Sequence, residues 1–137
     1  MTSHNAALTS DEARMQIGDV AERTGLSLRT IRHYEEVGLL PVAIRSPGGF
    51  RLYSDQAVER LLVIKQMKPL DFTLEQMREL LELRDRLAHP RLSRKTRERL
   101  LRELRTYTDR VEQKIADLQA QVANAQALAT DLRVTLP

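Results

Sequence analysis

Cysteine is absent from the 137-residue chain. Its absence excludes disulfides, thiolate metal sites, iron–sulfur clusters and cysteine redox switches. Apolar runs are short, and none approaches the roughly 20 residues that a membrane-spanning helix needs. The first residues also lack the basic start and the apolar core of a signal peptide. We therefore expect a cytoplasmic protein with a flexible tail at residues 1–14.

Motifs of catalysis and cofactor binding are also missing. The sequence has no glycine-rich phosphate loop and no plausible nucleophile–base pair. Its three histidines, His4, His33 and His89, are too scattered to predict a metal site. An enzyme is therefore the least favoured functional class, and no cofactor is expected. The formal net charge of +3 is compatible with a nucleic-acid partner but does not by itself predict one.

Glycine and proline are unevenly distributed along the chain. All five glycines lie within the first 49 residues, and no proline lies between Pro90 and Pro137. Because these residues mark turns, several short elements are predicted near the N-terminus and a single long helix near the C-terminus. The expected fold is mainly α.

Two short helices joined by a glycine turn are predicted at the start of this N-terminal region. The first helix, at 17–24, has one apolar face, and Gly25 suits the left-handed position that ends a helix. Ser27 is a good N-cap for a second helix at 28–37, which Gly38 ends. This pattern is typical of a helix-turn-helix, whose second helix reads DNA.

A β-hairpin, or wing, is predicted after the second helix. Pro47-Gly48-Gly49 is a strong turn signal between two β-prone stretches. Basic and aromatic residues flank this turn, where they can straddle a phosphate backbone. Alternatively, the aromatic pair packs in the core and the arginines are simply exposed. The residues concerned are Arg45, Phe50, Arg51 and Tyr53.

Two further helices are predicted after the wing. Ser54 is expected to cap the first of them, and Pro69 to help end it. Thr73 and Gln76 resemble a capping box that opens the second, at 74–87. The apolar positions predicted to face the core are Val58, Leu61, Leu62, Ile64 and Met67 in one helix, and Leu74, Met77, Leu80, Leu81 and either Leu83 or Arg84 in the other.

The last helix is predicted at 92–133. Its apolar residues recur at spacings of four and three, with one additional step of four from Val111 to Ile115. So long an apolar seam needs a partner helix, which predicts dimerisation through a coiled coil over 91–134. An intramolecular hairpin is disfavoured because no glycine or proline marks a bend. The seam residues expected at the dimer interface are Leu104, Tyr107, Val111, Ile115, Leu118 and Val122.

The DNA-reading surface is expected on the second helix. Leu28, Ile31 and part of Tyr34 are predicted to face inward. Arginine suits the outward side because its guanidinium group can donate two hydrogen bonds to the acceptors of guanine or bind a phosphate. A solvated helix face without DNA contacts is the alternative reading. The outward residues are Arg29, Thr30, Arg32 and His33.

An ordered series of fragments lies between about Met15 and Leu87. The fragments are Ile17-Gly18-Asp19-Val20-Ala21, Thr24-Gly25-Leu26-Ser27, Thr30-Ile31-Arg32-His33-Tyr34-Glu35, Gly38-Leu39-Leu40-Pro41, Arg45, Gly49-Phe50-Arg51-Leu52-Tyr53 and Phe72-Thr73-Leu74-Glu75-Gln76-Met77. In this order and spacing, the series resembles the DNA-binding domain of the MerR family of bacterial transcription regulators. Each fragment is weak alone, and the ordered series is specific.

The resemblance implies a winged helix-turn-helix head at 15–87, followed by a long helix that pairs in an antiparallel coiled coil. It implies a homodimer that binds an inverted repeat in double-stranded promoter DNA. Such a dimer bends and untwists the spacer between the two promoter elements, so that RNA polymerase can engage both. By position, Arg29, Thr30, Arg32 and His33 would face the groove, and Tyr34, Arg45, Arg51 and Tyr53 would lie at or near phosphates.

Two positions depart from the family pattern. Asp71 stands where glycine is usual, and Pro69 predicts an earlier helix end. Because aspartate tolerates the left-handed conformation, the loop is expected to persist. Family metal and redox sensors use cysteines near the end of the long helix, so nothing here resembles their sensor site. The effector, the operator sequence and the direction of regulation are not predicted.

Two further alternatives remain open. A DNA-bending architectural or recombination factor could use a related winged head, although the long dimerisation helix argues against it. The stretch from Arg91 to Arg110 is rich in arginine and could contact DNA or an acidic partner. A solvated face is the favoured reading of this stretch, because coiled coils normally expose charged residues.

Overall fold

The computed structural model describes residues 14–41 and 43–137, and most of these are helical, as predicted. The expected tail at 1–14, apart from Arg14, lies outside the described residues, as does His4. The chain divides into two compact units, and the second is Glu82–Pro137. The elements are α1 (Ile17–Thr24), α2 (Leu28–Glu36), β1 (Ile44–Arg45), β2 (Arg51–Leu52), α3 (Asp55–Met67), α4 (Leu74–Leu87) and α5 (Arg94–Thr135).

Local caps define the helix-turn-helix formed by α1 and α2. Gly25 ends α1 with a φ of 72°, and its N–H donates to the Ala21 carbonyl. The Ser27 side chain accepts a hydrogen bond from Thr30 N at the start of α2. Both caps are as predicted, because each depends on residues within four positions of the helix end.

The end of α2 is a glycine-based turn. Gly38 has a φ of 82°. Its N–H donates to Glu35 O, and Leu39 N donates to Tyr34 O at 2.9 Å. These two bonds form a Schellman motif, which satisfies carbonyls that the helix itself leaves free. The helix therefore ends at Glu36, one residue before the predicted end, and Val37 is the C-cap.

Cationic side chains satisfy further carbonyls at the ends of α1 and α2. They come from α3 and α4, about 20 to 40 positions later in the chain. Positive charge is favourable at a helix C-terminus because the helix dipole is negative there. The bonds are Lys65 Nζ to Thr24 O at 2.8 Å, Arg60 Nε to Leu39 O at 2.7 Å, and Arg78 Nη2 to Val37 O.

The predicted hairpin is present between α2 and α3. Its two strands are antiparallel, with Ile44 opposite Leu52 and Arg45 opposite Arg51. The sequence did not indicate that Met15 would extend this hairpin. An isolated antiparallel bridge joins Met15 to Tyr53 through reciprocal backbone bonds of 3.1 and 2.7 Å. The bridge ties the chain before α1 to the wing.

The connection from α3 to α4 follows the predicted signals. A 3₁₀ turn, Lys68–Leu70, contains Pro69 and continues directly from α3. Asp71 takes the left-handed conformation with a φ of 63°, as expected for a glycine replacement there. The capping box is also formed, because Thr73 N donates to Gln76 Oε1 and Gln76 N donates to Thr73 Oγ1.

Three predicted core positions are wrong. Leu28 is 42% exposed, Leu62 is 39% exposed and Leu74 is 40% exposed. Periodicity predicts the apolar face of a helix but does not show how much of that face the neighbouring elements cover. Within the predicted faces, Val20, Ile31, Leu61, Ile64, Met67, Met77, Leu81 and Leu83 are buried.

The long helix α5 begins and ends two residues later than predicted. Ser93 is its N-cap and accepts a hydrogen bond from Thr96 N. Three seam residues of the second unit, Ile115, Leu118 and Val122, are 45%, 41% and 55% exposed in the single chain. In the region of the chain that the structure describes, none of the helices is long and apolar enough to cross a membrane.

Substitution of glycine by alanine should have opposite effects at Gly38 and Gly18. At both positions an added Cβ would meet no atom within 4 Å, so packing does not decide the outcome. Gly38→Ala should destabilise the protein by about 1–2 kcal/mol, because its φ is positive. Gly18→Ala, in α1, should stabilise it by about 0.5 kcal/mol. Urea unfolding at one protein concentration measures both, and effects of the same sign would contradict this account.

Candidate nucleic-acid interface

The outward side of α2 carries three exposed cationic or titratable side chains. Arg29, Arg32 and His33 are exposed, whereas Ile31 and Tyr34 are buried. The helix is amphipathic because its buried residues recur at a spacing of three. Its outer face is thus free to contact a partner, as the sequence predicted for these three residues.

Thr30 has a more restricted environment than its outward neighbours. It is half-buried, and its hydroxyl accepts a hydrogen bond of 2.8 Å from Ser27 Oγ. Its N–H also donates to Ser27 Oγ. Thr30 therefore contributes to the helix cap, and its hydroxyl proton remains available to an outside acceptor.

A cleft of about 490 Å³ separates α2 from the wing. Three arginines line it, and they come from three different elements: Arg32 from α2, Arg45 from β1 and Arg51 from β2. The side chains converge although they are up to 19 positions apart in sequence. Such a concentration of guanidinium groups favours phosphate binding. The remaining lining residues are Gln16, Ile17, Glu36, Gly49 and Phe50.

A second cleft, of about 400 Å³, borders the same helix. Its rim carries the cationic residues Arg29 and Lys68 together with His33. Lys68 belongs to the 3₁₀ turn after α3, and no sequence pattern singled it out. The other lining residues are Thr30, Tyr34, Phe72, Leu74 and Met77.

Glu35 connects α2 to the wing. Its Oε1 accepts a hydrogen bond from Ala43 N at 2.9 Å, and its Oε2 accepts from Arg51 Nη1 and from Tyr53 Oη, both at 3.1 Å. The Glu35 side chain is only 9% exposed, so these partners replace the water that it loses. No local pattern marks Glu35 as a site residue, since its partners lie 8, 16 and 18 positions later.

Tyr53, predicted at or near phosphates, is buried. Only 2% of it is exposed, and its hydroxyl donates to Glu35. Burial, and after it the charge of Glu35, raises the pKa of Tyr53 above its ordinary value of 10.0. Tyr53 thus stays protonated at neutral pH and serves as a donor inside the first unit. Tyr34, the other tyrosine of the predicted set, is also buried.

Arg45 and Arg51 lie directly opposite each other in the hairpin. Like charges in this position destabilise a sheet. Arg51 is ion-paired with Glu35, and Arg45 Nη1 donates to Gly49 O at 3.1 Å. Because two arginines placed opposite each other do not favour folding, an anionic partner is the better explanation for this pair.

Phe50 differs from the expectation of core packing. Its side chain is 59% exposed at the tip of the wing. The sequence could not separate the two aromatic residues of the wing, because both follow the same turn and both suit a strand. The structure separates them, since Tyr53 is buried and Phe50 faces solvent.

Two family models match the chain. The model described as MerR HTH family regulatory protein matches residues 15–83. The model described as MerR, DNA binding matches residues 58–134. Together they cover both the helix-turn-helix with its wing and the long helix.

Relatives and solved structures give the same assignment. The mercuric resistance operon regulatory protein of Bacillus cereus is 44% identical over 53% of this chain and 55% of its own length. Nodulation protein NolA of Bradyrhizobium diazoefficiens is 34% identical over 89% of this chain and 52% of its own length. The structure of the transcription regulator PbrR691 from Ralstonia metallidurans CH34, in complex with lead(II), aligns with a TM-score of 0.55, 33% identity, and coverage of 88% of this chain and 84% of that one.

The winged helix-turn-helix and the two matching family models define a class of DNA-binding transcription regulators. The chain belongs to the MerR family, as the ordered fragments predicted. It spans about half the length of the curated relatives that it matches.

Removal of the Glu35 charge should loosen the wing. Glu35→Gln leaves Arg51 without its ion pair and should lower the free energy of unfolding by about 1–3 kcal/mol. Glu36→Gln is the matched control, because Glu36 is adjacent and exposed, and should change it by less than about 0.5 kcal/mol. Thermal and urea unfolding measure the difference. Equal effects of the two substitutions would show that Glu35 does not hold the wing.

Proposed function

We propose that this protein is a cytoplasmic homodimer that binds an inverted repeat in promoter DNA and distorts the promoter spacer. The observation that carries the proposal is the exposed outer face of α2, bordered by two clefts with cationic linings. A helix presented in this way fits the major groove, and the flanking cationic side chains can grip phosphates on either strand.

The proposed base contacts come from Arg29, Arg32 and His33, with Thr30 able to donate its hydroxyl proton. Arg32 has a central place, because it lies on α2 and also lines the cleft shared with the wing. Either a guanine edge or a phosphate is within the chemistry of its guanidinium group.

The proposed phosphate contacts come from Arg45 and Arg51. Arg51 is 39% exposed while paired with Glu35, so it can bind a phosphate without giving up that pair. Tyr34 and Tyr53 were expected at or near phosphates as well. We now assign them to positioning of α2 and the wing, because both are buried.

We propose a domain division into a DNA-binding head at 15–87 and a dimerisation helix at 91–134. The exposed seam of α5 supports the dimer, because apolar side chains on one stripe of a long helix are stable only when a second helix covers them. The antiparallel arrangement follows the family. The seam residues are Leu104, Tyr107, Val111, Ile115, Leu118 and Val122.

Spacer distortion would couple DNA binding to transcription. Two heads held by one coiled coil have a fixed separation, so an inverted repeat whose half-sites do not match that separation must deform to meet both. A spacer shortened in this way brings the two promoter elements into a phase that RNA polymerase can engage. The polymerase is therefore a proposed partner at the promoter.

A footprint on the DNA upstream of the protein's own gene and its neighbours tests this function. We expect protection over a dyad between the two promoter elements, with enhanced cleavage at its centre. Arg32→Ala should abolish this protection while the dimer persists, because it removes one contact from each half-site. Arg84→Ala is the control, since Arg84 is exposed on α4 and lines neither cleft.

The footprint also separates the alternatives. Unchanged protection by the Arg32→Ala protein would refute the assignment of α2 as the reading helix. Protection of a site away from promoters, with bending, would favour an architectural factor instead. Protection without enhanced cleavage at the centre would show that the protein binds the promoter as a regulator but does not distort the spacer.

Dimerisation through α5 has a separate test. Sedimentation should give a dimer at micromolar concentration, and Leu118→Glu should shift it toward monomer, because a carboxylate cannot be buried in an apolar seam without a partner. Asn124→Glu is the control, since helical spacing places Asn124 on another face of α5. A monomeric unaltered protein, or two variants that behave alike, would contradict the coiled coil.

A further inference from the structure

Phe50 is an exposed aromatic residue at the tip of the wing. Its 59% exposure exceeds that of Leu28, Leu62 and Leu74, which are the other exposed large hydrophobic residues of the first unit among those the structure describes. Exposure of so much aromatic surface is unfavourable in water. Burial of this ring against a partner would therefore be favourable.

Hydrogen bonds to Ser46 hold both the carbonyl and the N–H of Phe50. Ser46 N donates to Phe50 O at 2.8 Å, and Phe50 N donates to Ser46 Oγ at 3.1 Å. The ring rests beside Gly48, where a Cβ would lie 3.3 Å from Phe50 Cε2. The hairpin thus fixes the backbone at Phe50, and the ring lies beside the glycine turn.

The surroundings of Phe50 are basic. The ring lines the same cleft as Arg32, Arg45 and Arg51. Arg45 and Arg51 each have one partner within the protein, but an apolar partner surface would bury their remaining N–H groups without acceptors, which is unfavourable. A DNA strand satisfies both features, because its phosphates alternate with deoxyribose rings and base edges that have apolar surface.

We propose that Phe50 is a DNA contact, which packs its ring against the deoxyribose and base surface between phosphates held by Arg45 and Arg51. The contact supplies affinity that does not depend on salt, because no counterion is released when an apolar ring is buried. Since sugars are common to all sequences, the contact strengthens binding to any duplex. This inference rests on the proposed DNA-binding mode of the wing.

The salt dependence of DNA affinity tests the contact. The probe is a mixed-sequence duplex, titrated by fluorescence anisotropy at several salt concentrations with the full chain. Phe50→Ala should weaken binding on the order of ten-fold at every salt concentration, because the apolar surface of the ring is then no longer removed from water on binding. The slope of log affinity against log salt should stay at the unaltered protein's value. Arg45→Ala, in contrast, should reduce the magnitude of that slope by roughly 0.9 for each phosphate that is no longer neutralised.

Two variants show whether the contact requires an aromatic ring or only an apolar side chain. Phe50→Tyr keeps the aromatic plane and should bind within about two-fold of the unaltered protein, and Phe50→Leu should be intermediate. Leu62→Ala is the control for loss of exposed apolar surface, because Leu62 lies on α3 outside both clefts. Thermal unfolding of each variant shows whether weaker binding results from a loss of stability.

The outcomes are distinct. Unchanged affinity of Phe50→Ala in a protein that otherwise binds DNA overturns this contact and leaves the proposed function intact. A reduced salt slope in the same variant also overturns it, because the ring would then act only by placing the arginines. Failure of the unaltered protein to bind any duplex overturns the proposed function together with the contact.

Discussion

The buried carboxylate of Glu35 is the interaction on which the DNA-binding surface depends. One side chain of α2 receives hydrogen bonds from the backbone before β1, from an arginine of β2 and from the tyrosine that follows it. Only 9% of the Glu35 side chain is exposed, so these donors replace the water that it loses on folding. The wing is therefore held to α2 by one group whose loss would leave several partners unsatisfied.

The same helix is held at its end by other means. The glycine turn after α2 satisfies two carbonyls locally, and Arg60 and Arg78 satisfy two more from α3 and α4. The helix α2 is thus tied to the wing through Glu35, and to α3 and α4 through carbonyls at and just after its C-terminus. Its outer face carries no comparable constraint, which leaves Arg29, Arg32 and His33 for a partner.

Much of the fold could be predicted because its signals are local. Ser27, Gly25 and the pair Thr73–Gln76 act within four positions of a helix end, and each is placed as predicted. Exposure was harder to predict. Leu28 and Leu74 both satisfy the apolar periodicity of their helices but are about 40% exposed, because periodicity gives a face and not the edge of the neighbouring element.

Residue order alone was enough to establish the mainly α fold, the helix-turn-helix, the wing and the family, since caps, turns and ordered motifs are properties of short segments. Which wing residues face outward was settled instead by packing between distant segments. That packing buried Tyr53 against Glu35, left Phe50 at the tip, and brought Lys68 beside α2. The burial of Tyr53 and the place of Lys68 depend on contacts between positions 18 or more apart, and spacing along the chain does not encode which distant donor a carboxylate will accept from.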